Sequence, residues 1–308
     1  MKTRTIPFAA AVVMLVAVSM NAFGQSGNAP EGALNGLFSV SPSKQVYISK
    51  GNLQYQASTH TWRFAEKQTD YVGLDNKNIS PNNTGWIDLF GWGTSGHPHG
   101  AVCYQPWSTS ADVNDYKANG QITNDLGGKA DWGYNAISNG GNTVNQWRTL
   151  TGKEWEYLLY NRSTPSRINY VYAKINGIFG VIVLPDDWNV RYCDFTNPNG
   201  IGPIRTMTNV LTEEEWTVLV EAHGAAFLPA AGCRKGGNVS DLIKSGKLIE
   251  IGGEYWSSSR GNNTHWSTDP NNIVTFSFDD LHNGRSSIAS QGGQRFYGRS
   301  VRLVRDAQ

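Results

Sequence analysis

Thr151-Gly152-Lys153-Glu154-Trp155-Glu156-Tyr157-Leu158-Leu159 and Thr212-Glu213-Glu214-Glu215-Trp216-Thr217-Val218-Leu219-Val220 carry one pattern twice. In each, a Thr stands three residues before a Glu, the spacing of a capping box. The hydroxyl accepts from the Glu amide while the carboxylate reaches back to the Thr amide. Apolar residues then follow the Trp at i+3 and i+4, so each helix carries one stripe to lay on a sheet, and Gly224 supplies a stop for the second. The similarity is confined to nine positions, which helix-start chemistry explains without a duplicated repeat.

Outward from these helices the chain is β and loop. Phe38-Ser39-Val40, Gln45-Val46-Tyr47-Ile48, Leu53-Gln54-Tyr55 and Thr61-Trp62-Arg63-Phe64 are short alternating runs punctuated by Pro42, Gly51 and Ser58, which predicts antiparallel strands. Gly73 to Gly100, with Trp86, Phe90 and Trp92 among Asn and Gly, predicts an ordered loop wrapped on the core. Beyond Ala225 strands return at Phe227–Pro229, Glu254–Ser257, Ile273–Phe278 and Ser300–Val304. Val274, Phe276 and Phe278 alternate with Thr275, Ser277 and Asp279, so one core face and one wet face are expected. Eleven Trp, 13 Tyr and 34 Gly with 17% charged residues fit a β-rich, loop-rich chain.

The first residues read as an export leader: Lys2 and Arg4, an apolar run from Phe8 to Val18, then Ala22-Phe23-Gly24 before Gln25. The run is shorter than the roughly 20 residues of a spanning helix. The expected division is a leader over 1–24, a flexible lead-in over 25–36 and one elaborated domain over 37–308, β-rich from 37 to 146. The expected location is periplasm, cell surface or beyond, without membrane insertion. No Cys follows the cleavage pattern, which closes the lipoprotein route. Lys and Arg total 26 against 25 acidic residues, so the counterion-release term that drives nucleic-acid binding is missing. Cys103, Cys193 and Cys233 lie far apart, and an oxidising compartment favours one disulfide, with Cys193–Cys233 the pairing to test.

Several stretches resemble known families. Trp147 to Leu159 resembles the helix entry of the formylglycine-generating, sulfatase-modifying-factor group. Phe227-Leu-Pro-Ala-Ala-Gly232-Cys-Arg234, Gly253-Glu-Tyr255-Trp256-Ser257-Ser258 and Gly298-Arg-Ser-Val301-Arg302-Leu303-Val304 resemble the C-terminal half of bacterial C-type-lectin-like domains. That group includes the Fibrobacter-type major paralogous domain and Bacteroidetes surface proteins. The resemblance covers Trp147 to Arg305, about half of the chain; Gly51–Tyr55 and Gly85–Trp92 are similar to an N-terminal elaboration of exported Bacteroidetes proteins. It implies an α+β, C-type-lectin-like fold, with two helices against mixed, mainly antiparallel β-structure and long ordered loops. It also implies that the C-terminal region forms a ligand face, which in some members is diversified by retroelements. Tyr255 and Trp256, bulky aromatics beside small serines, are expected in the core.

Chemistry is harder to find. The formylglycine-generating enzymes that the helix entry resembles use a cysteine pair late in the domain, and no Cys follows Cys233, so no enzyme is expected. His97-Pro98-His99 has no partner at metal-ligand spacing, and Asp112-Val-Asn114-Asp115 lacks the glycine and closing Glu of a calcium loop. Thr268-Asp269-Pro270-Asn271 and Trp188-Asn189-Val190 are the nearest strings to a calcium-dependent sugar site. No cofactor is expected, with calcium as the alternative. The remaining candidate is a recognition surface made of Asn262, Asn263, His265, Trp266, Asp269, Asn271, Asp280, His282, Asn283, Arg285 and Arg295, polar groups around an indole anchor. The expected partner is a protein or glycan on another cell surface. The rival readings are a structural or adhesive surface component and, third, a formylglycine-generating-like enzyme.

Overall fold

The computed structural model describes residues 29–97, 104–118, 121, 124–199, 209–240, 243–244, 247–248, 252–261, 272–279, 286–289 and 294–308. In chain order the strands begin with β1 (Ala33–Ser41), β2 (Lys44–Ser49), β3 (Leu53–Gln56), β4 (Thr61–Phe64), β5 (Trp86–Ile87) and β6 (Arg148–Thr149). Helix α1 (Gly152–Glu156) precedes β7 (Tyr170–Ile175), β8 (Ile178–Val183) and β9 (Val210–Leu211). Helix α2 (Glu213–Glu215) precedes β10 (Ala226–Pro229), β11 (Cys233–Lys235), β12 (Asn238–Ser240), β13 (Ile243–Lys244) and β14 (Lys247–Leu248). The last strands are β15 (Gly252–Arg260), β16 (Ile273–Asp279), β17 (Ser286–Ala289), β18 (Tyr297–Gly298) and β19 (Leu303–Asp306).

The result is a mixed α+β chain, richer in strand than in helix, in several mainly antiparallel sheets. The sheet β1-β2-β19-β6 joins the ends of the described chain: Val304 pairs with Ile48, which lies on the strand beside β1. All four runs expected as strands near the start are found, in β1 to β4. One boundary is corrected. β1 starts at Ala33 and buries Leu34, so the final residues of the expected flexible lead-in are sheet. Gly36 is packed so closely that a Cβ there would lie 2.4 Å from the Gly224 carbonyl oxygen. The Gly73–Gly100 stretch wraps the core as expected where it is described: Phe90 and Trp92 are fully buried, and Trp86 supplies the short β5.

Both capping boxes are formed. Glu154 N donates to Thr151 Oγ1 at 3.1 Å and Thr151 N to Glu154 Oε2 at 2.9 Å; the equivalent bonds at Thr212 and Glu215 are 3.1 and 2.8 Å. Each α-helix is short and continues as a π-helical turn, Tyr157–Asn161 after α1 and Trp216–Val220 after α2. The wider turn changes the second stripe: Trp216 and Val220 are buried, but Leu219 is 39% exposed. Gly224 ends this segment in the left-handed region at φ 84°.

Three hydrophobic clusters form the interior. Trp155 stacks on Phe276 at 5.2 Å in the first, with Phe38, Val46 and Val304. Trp62, Phe90, Trp92, Trp132, Trp147 and Trp256 meet in the second, and Trp188, Phe195, Trp216 and Phe227 in the third. Cys193 and Cys233 remain thiols, so the expected disulfide between them is corrected; Cys193 packs on the third cluster while Cys233 opens β11. Cys103 lies outside the described residues.

Candidate functional site

Strand neighbours point to opposite faces, yet Tyr255 and Trp256 on β15 are both fully buried. Tyr255 faces the first cluster and Trp256 the second, so β15 is a wall between two cores. β16 beside it repeats the arrangement: Phe276 pairs with Tyr255, and Thr275 with Trp256. This corrects the expected wet face of β16, since Thr275 is only 4% exposed. The serines after Trp256 are framework as well: Ser257 Oγ donates to the Val274 carbonyl at 2.6 Å and Ser258 N to the Leu150 carbonyl at 2.8 Å.

Four buried arginines tie this wall and the segments around it together. Arg299 lies 4.4 Å over the Trp256 ring and 5.0 Å over Tyr297, and ion-pairs with Glu254. Arg295 lies 4.9 Å over Trp92 and donates to the Tyr116 carbonyl at 3.1 Å. Arg302 donates to Gln68 Oε1 at 2.8 Å and Asn52 Oδ1 at 3.3 Å, and Arg234 to the carbonyls of Gly236, Leu89 and Ser108. Burial lowers the pKa of both Arg234 and Arg302 to about 10, still far above neutrality, so each remains a cation held by neutral acceptors. Arg295 was expected on the ligand surface. It is fully buried and belongs to the framework.

Of the remaining candidates, Asn262, Asn263, His265, Trp266, Asp269 and Asn271 and also Asp280, His282, Asn283 and Arg285 lie outside the described residues. The strand ends that bracket them are described, and they separate the two groups. The stretch 262–271 departs from the end where Arg260 pairs with Ile273, whereas 280–285 departs from the end where Gly252 pairs with Asp279 and Phe278 with Ser286. These are opposite ends of β16, whose seven residues span roughly 20 Å. Successive hairpins turn at alternate ends, so the two stretches adjoin opposite ends of β16 in the chain.

The first end has a built rim. Arg260 N donates to Asp125 Oδ1 at 2.8 Å, with the Arg260 guanidinium 3.5 Å from the same oxygen; Gly261 N donates to the Asn272 carbonyl at 2.7 Å, and Asn272 bridges to Gln294. Asp125 had no signal in the sequence, because its partner is 135 residues away. Gln294, Asn124 and Asp125 are exposed.

Elsewhere, polar groups are committed to structure. Asp112 caps a helical turn by accepting from Asn114 N at 2.9 Å, and the His97 ring packs edge-on to Tyr134; His99 lies outside the described residues. The Trp188 indole is buried and Asn189 Oδ1 accepts from Arg191 N, so that string is a turn. Among the described residues no three His, Cys, Asp or Glu side chains gather as a metal site. Burial first, then Asp194 and Glu215, push the Cys193 thiol up, away from the thiolate that a nucleophile needs. Asp88 is fully buried, and burial pushes its carboxyl up to about 6 against the bonds it receives from Val72 and Asn76. Among the described residues no helix is long and apolar enough to cross a membrane. No family model, curated protein or solved structure matches the chain.

Proposed function

We propose that the chain is an exported binding module with a C-type-lectin-like frame, recognising a protein or glycan on another cell surface through the stretch 262–271. The observation that carries this reading is the burial, on both faces, of the hairpin from which that stretch departs. β15 and β16 are fixed by Tyr255, Trp256 and Phe276, and the motif residues Arg299 and Arg302 are spent on the framework. A polar, indole-containing stretch carried by a rigid scaffold is the usual arrangement of a binding loop. In this reading Asn262, Asn263, His265, Trp266, Asp269 and Asn271 carry the main contacts beside the described rim at Asp125, Arg260 and Gln294, and His282 and Arg285 contribute less. Export rests on the leader pattern.

The test uses the mature chain on glycan and cell-surface protein arrays, followed by affinity and melting measurements on variants. Trp266→Ala is expected to leave melting unchanged and to weaken binding by about thirtyfold, the equivalent of about 2 kcal/mol for a central aromatic anchor. His282→Ala and Arg285→Ala are expected to weaken binding less than Trp266→Ala does, as rim contacts do. Loss of melting stability in Trp266→Ala would make the indole a core residue, and full affinity in that variant would place the ligand elsewhere.

A further inference from the structure

We propose that Asn176–Gly177 is a site of spontaneous covalent modification, where the asparagine amide is lost through a backbone succinimide and the new acid is set against α2. The Asn-Gly pair is the two-residue turn of the β7–β8 hairpin, with both residues in the left-handed region, φ 46° and 88°. Both are exposed, and nothing stands within 4 Å of the position a Gly177 Cβ would take. Among the described residues the Gly177 amide donates to no other group, so its nitrogen is not held by a hydrogen bond. The Asn176 side chain has one weak contact, Nδ2 to Glu213 Oε2 at 3.3 Å.

Two other described Asn-Gly pairs supply the contrast. Asn139 is clamped at both ends of its amide, accepting from Phe64 N at 2.8 Å and donating to the Phe64 carbonyl at 3.0 Å, and Gly140 N is bonded to the Ile137 carbonyl. Asn35–Gly36 lies inside β1 with Gly36 against Gly224. Neither can turn its amide carbon toward the following nitrogen without breaking the surrounding structure. At Asn176 the backbone amide is tied to the Leu211 carbonyl at 2.9 Å, but the side-chain amide has only the Glu213 contact to release and the Gly177 nitrogen has none among the described residues.

The step balances without an oxidant. The deprotonated Gly177 nitrogen attacks Asn176 Cγ, a C–N bond forms, and the Cγ–Nδ2 bond breaks to release ammonia. Water then opens the ring at one of its two carbonyls, giving aspartate or isoaspartate. Either product replaces the donor facing Glu213 by a carboxylate, a like-charge contact that Lys67, also paired with Glu213, offsets only in part. Isoaspartate adds a backbone atom to the turn and disturbs the pairing of Ile175 with Ile178.

The experiment incubates the full mature chain under native conditions and in urea at mildly alkaline pH, then follows three tryptic peptides by mass spectrometry. These are 175–191 with Asn176, 130–148 with Asn139, and the peptide ending at Lys44 with Asn35. Under native conditions 175–191 is expected to convert to the acid while the other two stay amides; in urea all three convert. A native chain in which 175–191 persists as the amide while its urea sample converts would overturn the proposal. Conversion of Asn35 or Asn139 at an equal native rate would also overturn it. Resistance of the product peptide to cleavage before aspartate identifies the isoaspartate fraction.

Discussion

Replacing Asp88 by Asn should change the pH dependence of stability in a direction fixed by burial. The carboxylate is 0% exposed; its oxygens accept from Val72 N at 2.7 Å and Asn76 Nδ2 at 2.8 Å. Burial raises its pKa from 3.8 to about 6 despite those bonds. An acid with a raised folded-state pKa binds its proton more tightly when folded. Its stabilising contribution is therefore complete below the unfolded value and lost as pH rises through about 6. A difference of roughly two units at 1.36 kcal/mol each makes ionised Asp88 cost about 3 kcal/mol at neutral pH. Asn fills the same space and does not ionise. Glu154, Asp186, Glu215 and Asp306, whose pKa values are lowered, push wild-type stability the other way, but they titrate alike in both proteins and cancel in the comparison. Urea unfolding of both proteins between about pH 4 and 7.5 should show the difference in unfolding free energy moving toward the variant by about 3 kcal/mol. Any loss of hydrogen-bond geometry with the Val72 amide would add a constant offset and leave the slope intact. A gap that is independent of pH, or that moves toward wild type, would refute the reasoning.

Other outcomes follow from the same contacts. Trp155→Ala removes an indole that is 1% exposed and stacked on Phe276, and should cost about 3 to 5 kcal/mol in chemical denaturation; Trp216→Ala falls in the same range. Thr151→Ala and Thr212→Ala each lose one capping bond and should cost about 1 kcal/mol, and variants that melt like wild type would show that these helix starts are dispensable. Cys193 and Cys233 should both be found as thiols by mass spectrometry after alkylation without reductant, and a peptide linking them would refute the arrangement of β11 and the third cluster. Protein recovered from its host should begin at or near Gln25 and fractionate outside the cytoplasm; intact 1–24 in that material would refute export.

The sequence made the local chemistry legible. Thr151 and Thr212 begin helices because a hydroxyl three residues from a carboxylate can satisfy two orphan amides, a property of adjacent residues that needs no tertiary context. The strands β1 to β4 and the core face of β16 were equally readable, since alternation every second residue reports which face is dry. The candidate site was legible only as a composition of polar residues around Trp266.

What the sequence could not report depends on contacts between distant residues. Arg295 reads as part of a recognition surface and Arg299 and Arg302 only as motif residues, and only the approach of Trp92, Trp256, Gln68 and Asn52 makes them interior links. Thr275 reads as wet until Trp256 is placed against it. Local residue chemistry was enough to read where helices start, which strand faces are apolar, and that 262–271 and 280–285 flank one strand. Only the folded chain shows that β15 is walled by core on both sides and that Asp125 and Gln294 stand at the end of β16 that follows 262–271. Local periodicity encodes the direction of each side chain relative to its own strand; what lies opposite that strand is set by the packing of the whole chain.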